Sequence, residues 1–133
     1  MTTTDIEIVQ AFHDRLNARD VDAVLALAAN EIRVGGPRGT GVGKHLVAEW
    51  VARANVTMHP QRWFQRERTV IGEQRAVWHG LDGTEDGTGG QTVATVFELA
   101  DGGIASIARY GNIGEAVTSA DLDETDEIPA PGA

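Results

Sequence analysis

The sequence predicts an α+β fold, with helices first and an antiparallel β-meander after, the helices packed on one face of a curved sheet. Three observations carry this. Residues 91–112 hold two β-type runs around Asp101-Gly102-Gly103, the pattern of a hairpin. The N-terminal third carries apolar residues at helical spacing. Between the two lie stretches whose large side chains alternate in the manner of strands.

Each element has its own signal. Thr4-Asp5-Ile6-Glu7 has the spacing of a capping box and starts a helix running to Ala18. Ile6, Val9, Phe12, His13 and Leu16 form its inner stripe. Asp20 caps a second helix from Val21 to Ala29. Glu31 to Val34 reads as a short strand, and Gly35 to Gly41 as a glycine-rich loop. A third helix from Val42 to Asn55 points Leu46, Val47, Trp50, Val51 and Ala54 inward. Gln61 to Ile71 reads as one long strand with Trp63 and Phe64 on opposite faces, followed by a turn at Gly72-Glu73. Arg75 to Leu81 is the next strand, and Asp82 to Gly90 a hairpin loop. On the strand from Gln91, the bulkier, uncharged row of Val93, Thr95, Phe97 and Leu99 is placed inward. On the last strand Ile104, Ser106, Ala108 and Tyr110 are placed inward, because Arg109 is less costly outside.

The chain has 133 residues, which suits one domain with a core of its own. Residues 1–114 form the expected domain. Residues 115–133 hold six acids, no Lys or Arg and few large apolar side chains, so a disordered tail is expected there. The net charge of −9 is unevenly spread: without that tail there are 14 acids against 11 bases. Neither part offers the basic stripe that phosphate contacts require, which argues against nucleic acid as a partner. The basic cluster of Arg62, Arg66 and Arg68 reads as a solvated strand face. No run approaches the roughly 20 apolar residues of a membrane span, and the first residues lack the pattern of a secretory leader. With no cysteine in the chain, a cytoplasmic location is expected. His13, His45, His59 and His79 show no ligand spacing, so neither a metal nor another cofactor is expected. Gly39 to His45 resembles a phosphate-binding loop, but Arg38 stands at the first glycine position and His45 at the Ser/Thr position.

Several landmarks resemble the NTF2-like superfamily, which includes SnoaL-like and ketosteroid-isomerase-like proteins. They are Phe12 to Asp20 followed by Val21 to Leu27, then Pro37, Gly39, Gly43 and Trp50, then the C-terminal strand pair. The resemblance implies a cone, in which a strongly bent mixed or antiparallel sheet wraps the first and third helices around a pocket. It also implies a small, mostly apolar molecule as partner. Isomerase, dehydratase, cyclase or epoxide-opening chemistry occurs in the superfamily, beside members that serve as binding or assembly modules. Many members pair as homodimers through the outer sheet face, and the apolar Ala94, Val96, Ala105 and Ile107 suit such a face.

Measured against these chemistries, the residues of a steroid isomerase are absent. Gly36 stands where the base would precede Pro37, Phe12 falls near the tyrosine position and Thr95 near the second aspartate. An epoxide-hydrolase-type set would have to draw on Glu67, Glu98 and Arg109. A dehydratase-type site would draw on His79, His13 and Tyr110, and these are the candidate catalytic residues. The candidate ligand-binding residues are Phe12, Trp50, Trp63, Trp78, Thr95, Phe97, Ser106 and Tyr110. Two readings stand for the strand from Arg75: Trp78 inward makes an aromatic wall, and His79 inward supplies a base. Two readings also stand for function: a protein that binds and transforms a small apolar molecule, or a non-catalytic homodimeric module whose pocket is filled.

Overall fold

The computed structural model describes residues 5–36, 39–54, 56–78, 91–100 and 103–128. Helix α1 spans Asp5–Asn17 and α2 spans Val21–Leu25. Strands β1 (Ala28–Gly36) and β2 (Gly39–Val42) precede α3 (Lys44–Ala54). Four long strands follow: β3 (Val56–Arg66), β4 (Thr69–Trp78), β5 (Gln91–Ala100) and β6 (Gly103–Tyr110). Helix α4 (Ile113–Ser119), a 3-10 turn (Glu124–Asp126) and the short strand β7 (Glu127–Ile128) close the described chain. The strands form one curved, unclosed sheet in the order β2-β1-β6-β5-β4-β3-β7. Only β1 and β6 run parallel among these pairs, so the sheet is mixed.

The helices form where the sequence asks for them. Val9, Phe12, His13 and Leu16 of α1 are all buried, as a stripe at 3.6 periodicity requires. The Asp20 carboxylate accepts from the Ala23 amide at 3.1 Å and caps α2. That helix is shorter than expected, because β1 already begins at Ala28. The Asn17 side chain then clamps β3, donating to the Met58 carbonyl and accepting from the Met58 amide, both at 2.9 Å. The expected cap at Thr4 lies outside the described residues.

Three segments depart from expectation. The glycine-rich stretch after Val34 is part of a hairpin, with Gly35 opposite Thr40 and Gly36 opposite Gly39. The turn between β3 and β4 sits at Glu67-Arg68, with Glu67 at φ 53°. Gly72 lies inside β4 instead, where a Cβ would stand 3.6 Å from the Trp63 ring and 3.4 Å from Gln74 Nε2. The glycine makes no turn, and its position does not require one, since a Cβ there would make ordinary contacts. Thirdly, residues 113–128, most of them expected as a disordered tail, fold back over the sheet. Asn112 Oδ1 caps α4 by accepting from the Glu115 amide at 2.8 Å. Arg62 makes a two-pronged pair with Glu127 at 2.8 and 3.0 Å, and Arg66 meets Asp126 at 2.8 Å. The basic strand face and the acidic tail are therefore partners.

The sheet has two buried faces. Inside, Val9, Phe12, Leu16, Val24, Ile32, Val47, Val51, Met58, Trp63, Val70, Val93, Phe97, Leu99 and Ile104 share one core. Outside, Phe64, Ile71, Ala94 and Val96 are covered by Ala116 and Leu122, with Tyr110, Ile113 and Val117 at the edge. Trp63 and Phe64 do face opposite sides, and the inward row Val93–Phe97–Leu99 is as expected. Ala94 and Val96, from which a homodimer face was inferred, are buried within the chain itself.

The β5–β6 turn depends on Gly103. It holds φ +117°, and a Cβ there would lie 2.4 Å from the Leu27 carbonyl oxygen, to which β6 is anchored by the Ile104 amide at 2.8 Å. Gly103→Ala is expected to cost about 2 kcal/mol or more, from left-handed strain and the backbone clash together. A urea titration of the variant checks this. An unchanged midpoint would mean the turn relaxes freely.

Candidate functional site

The inner face of the sheet carries a buried polar chain. His13 is 1% exposed, and Phe12, Trp63 and Phe97 pack around its ring edge-on at centroid distances of 5.8, 5.6 and 5.7 Å. Its Nδ1 lies 2.8 Å from the Val9 carbonyl oxygen, one helical turn back. Its Nε2 lies 2.9 Å from Gln74 Nε2, and Thr95 Oγ1 lies 3.2 Å from Gln74 Oε1. Burial pushes the imidazole pKa down from 6.5 to about 4, against the weaker upward pull of the Val9 carbonyl and Asp14. The ring is therefore neutral near pH 7. A carbonyl only accepts, so the single ring proton sits on Nδ1 and Nε2 accepts from the Gln74 amide. Every buried side-chain nitrogen and oxygen among the described residues has a partner.

Beyond Thr95 the inner face opens into a cavity of about 170 Å³. Its walls are Phe12 of α1, Val34 and Gly35 of β1, Val47 and Trp50 of α3, Met58 of β3, Thr95 of β5, and Ile107 and Arg109 of β6. Arg109 is the one charged side chain in this lining. It is half-buried, and no hydrogen bond or ion pair to it is found among the described residues.

Arg109 faces inward because β6 is not regular. Glu98 pairs with Ser106 and Leu99 with Ile104, so Ala105 is an extra residue in the ladder. Such a bulge resets the alternation. Ile104 points into the core before it, and Ile107 and Arg109 point inward after it. The expected inward placement of Ser106, Ala108 and Tyr110 is thereby corrected. These three line a depression of about 250 Å³ on the outer face, with Arg33, Glu98 and Ser119.

Of the other candidates, Phe12, Trp50 and Thr95 line the inner cavity. Trp63 and Phe97 lie beneath it, around His13. His13 and Tyr110 sit on opposite faces of the sheet, so they form no pair. His79 and the side chain of Trp78 lie outside the described residues. Sequence reasoning missed Gln74, and it placed Arg109 on the outer face. For Arg109 the signal was hidden by the bulge. For Gln74 it was present: an amide in phase with Val70, Gly72 and Ala76, the inward row of β4, called for a buried partner. Among the described residues, no group of three His, Cys, Asp or Glu side chains could hold a metal ion. Nor is any helix long and apolar enough to cross a membrane.

Comparison with known proteins agrees with this architecture. The family model described as SnoaL-like domain matches residues 9–107. No curated protein matches the sequence. An NTF2-like protein of unknown function from Cytophaga hutchinsonii superposes with a TM-score of 0.71 at 16% identity, over 87% of this chain and 96% of that one. TerC, co-crystallised with polyporic acid, gives 0.69 at 16% identity, over 89% and 96%. SalBIII, described as an epoxide hydrolase/cyclase-like enzyme in pyran ring formation in the polyether salinomycin, gives 0.69 at 18% identity, over 83% and 92%. At these identities the likeness speaks for the fold.

Proposed function

The chain belongs to the SnoaL-like domain family, and we propose that it binds a small, largely apolar molecule bearing an anionic oxygen in the inner cavity. One observation carries this reading: a half-buried Arg109, set into apolar walls and without a partner among the described residues. A guanidinium in such a place loses hydration without gaining a partner, and a ligand carboxylate or enolate would supply one. The size fits a molecule of about one ring, since an engineered apolar cavity of about 150 Å³ takes up benzene. The open cavity speaks against an interaction module with a filled pocket.

A second reading is that the bound molecule is transformed, by isomerase-, dehydratase- or cyclase-type chemistry. Two points favour it: the likeness to SalBIII, and the aptness of a partly dehydrated cation for stabilising a developing oxyanion. Arg109 would hold that charge. His13 is screened from the cavity by Gln74 and Thr95, and an amide does not relay protons, so a base would be sought elsewhere.

The test is calorimetric titration with one-ring carboxylates and their neutral amides. Benzoate is expected to bind and benzamide to bind at least tenfold more weakly. Arg109→Met, which keeps the stem and removes the charge, should weaken benzoate by about ten- to a hundredfold. Equal binding of acid and amide, or an unaffected Arg109→Met, would overturn the reading.

A further inference from the structure

The buried chain behind the cavity fixes the hydrogen-bonding sense of Thr95. His13 Nε2 can only accept, so the Gln74 NH₂ group is turned toward it. That leaves Gln74 Oε1 facing Thr95, and the hydroxyl proton goes to it. The opposite amide orientation would put an oxygen against His13 Nε2. It would then demand protons on both ring nitrogens, hence a charged imidazolium among Phe12, Trp63 and Phe97. With its only proton committed, Thr95 Oγ1 can act only as an acceptor toward a molecule in the cavity that Thr95 lines. Thr95 and Arg109 are direct partners across β5 and β6. Their Cβ atoms are therefore about 5 Å apart. The cavity wall thus sets an acceptor beside a cation.

We infer that the cavity selects one-ring acids that also carry a hydrogen-bond donor, a hydroxyl or amino group, given to Thr95 while the anionic oxygen meets Arg109. This rests on the Arg109 reading and deepens it. Thr95 is the specificity residue, and Gln74 and His13 are positioning residues that hold its hydroxyl in one sense. An acid with a bare ring fills the same volume but leaves the Thr95 lone pairs without a donor. An acid with only an ether or a halogen there sets acceptor against acceptor.

The test is a panel of benzoates substituted at the 2-, 3- or 4-position with hydroxyl, amino, fluoro or methyl, titrated by calorimetry. In at least one ring position the hydroxy and amino acids are expected to bind about tenfold tighter than the fluoro and methyl acids. Thr95→Val should erase that preference, Thr95→Ser should keep it, and Arg109→Met should weaken all four acids alike. If benzoate binds through Arg109 but the wild-type protein treats hydroxy and fluoro acids equally, the donor inference is wrong and the function stands. A preference that survives in Thr95→Val overturns it too. If no acid binds, the function fails and takes this inference with it. The wild-type panel decides by itself should a variant not fold.

Discussion

Lowering the pH from 7.5 to 4.5 is expected to cost the protein roughly 2.5 kcal/mol of stability through His13 alone. The imidazole titrates near 6.5 in the unfolded chain and at about 4 in the folded one, where burial disfavours the charged form. Between these values the unfolded chain holds the proton and the folded chain does not. Stability is therefore fully present above pH 6.5 and is lost as the pH falls toward 4. A second cost travels with protonation: a proton on Nε2 faces the Gln74 NH₂ group, donor against donor. The measurement is a set of urea titrations from pH 4.5 to 7.5 on the wild type and on His13→Gln, whose amide oxygen still accepts from Gln74. His13→Gln should be less stable at pH 7.5 but lack the wild-type slope between pH 6.5 and 4.5. Parallel slopes would show that His13 is not held neutral, and the donor order behind Thr95 would lose its basis.

What could be read from the sequence was whatever depends on one element at a time. The α1 stripe, the Asp20 cap and the β5–β6 hairpin each follow from local spacing, and each is where the spacing puts it. What could not be read depends on two elements meeting. Gly72 looks like a turn until it is seen inside β4, opposite Trp63 of β3 and Thr95 of β5. Arg62 and Arg66 look like a solvated face until Glu127 and Asp126 return to them from far along the chain. The one extra residue at Ala105 exchanged the faces of Arg109 and Tyr110, and with them the charge of the candidate site. A bulge carries no strong composition signal, so strict alternation was the natural assumption and it reversed the answer. His13 was readable as inward from its stripe. Its neutrality was not, because that is set by burial among aromatic rings brought in from distant strands.

Ala116→Asp is expected to lower stability by about 3 kcal/mol or more, a fall in melting temperature of about 10 °C. Ala116 is 0% exposed and shares the outer-face cluster with Phe64, Ile71, Ala94 and Val96. A carboxylate there has no partner in that apolar cluster and no room. The cheapest response is for α4 to lift, which uncovers those four side chains together. Thr118→Asp is the control, since Thr118 is exposed on the same helix and an acid there should change stability by less than about 0.5 kcal/mol. Removing residues 113–128 should go further and leave the outer face bare. Apolar surface of that kind drives association, so the shortened protein is expected to elute larger than a monomer at concentrations where Thr118→Asp elutes like the full chain. The exposed pairs of Arg62 with Glu127 and Arg66 with Asp126 steer the segment back but contribute little energy, because solvent screens them. Double substitution of Glu127 and Asp126 by Gln and Asn should therefore shift the melting temperature far less than Ala116→Asp. If the two aspartate variants melt together, α4 is not what covers the outer sheet, and residues 113–128 behave as the acidic tail their composition suggests.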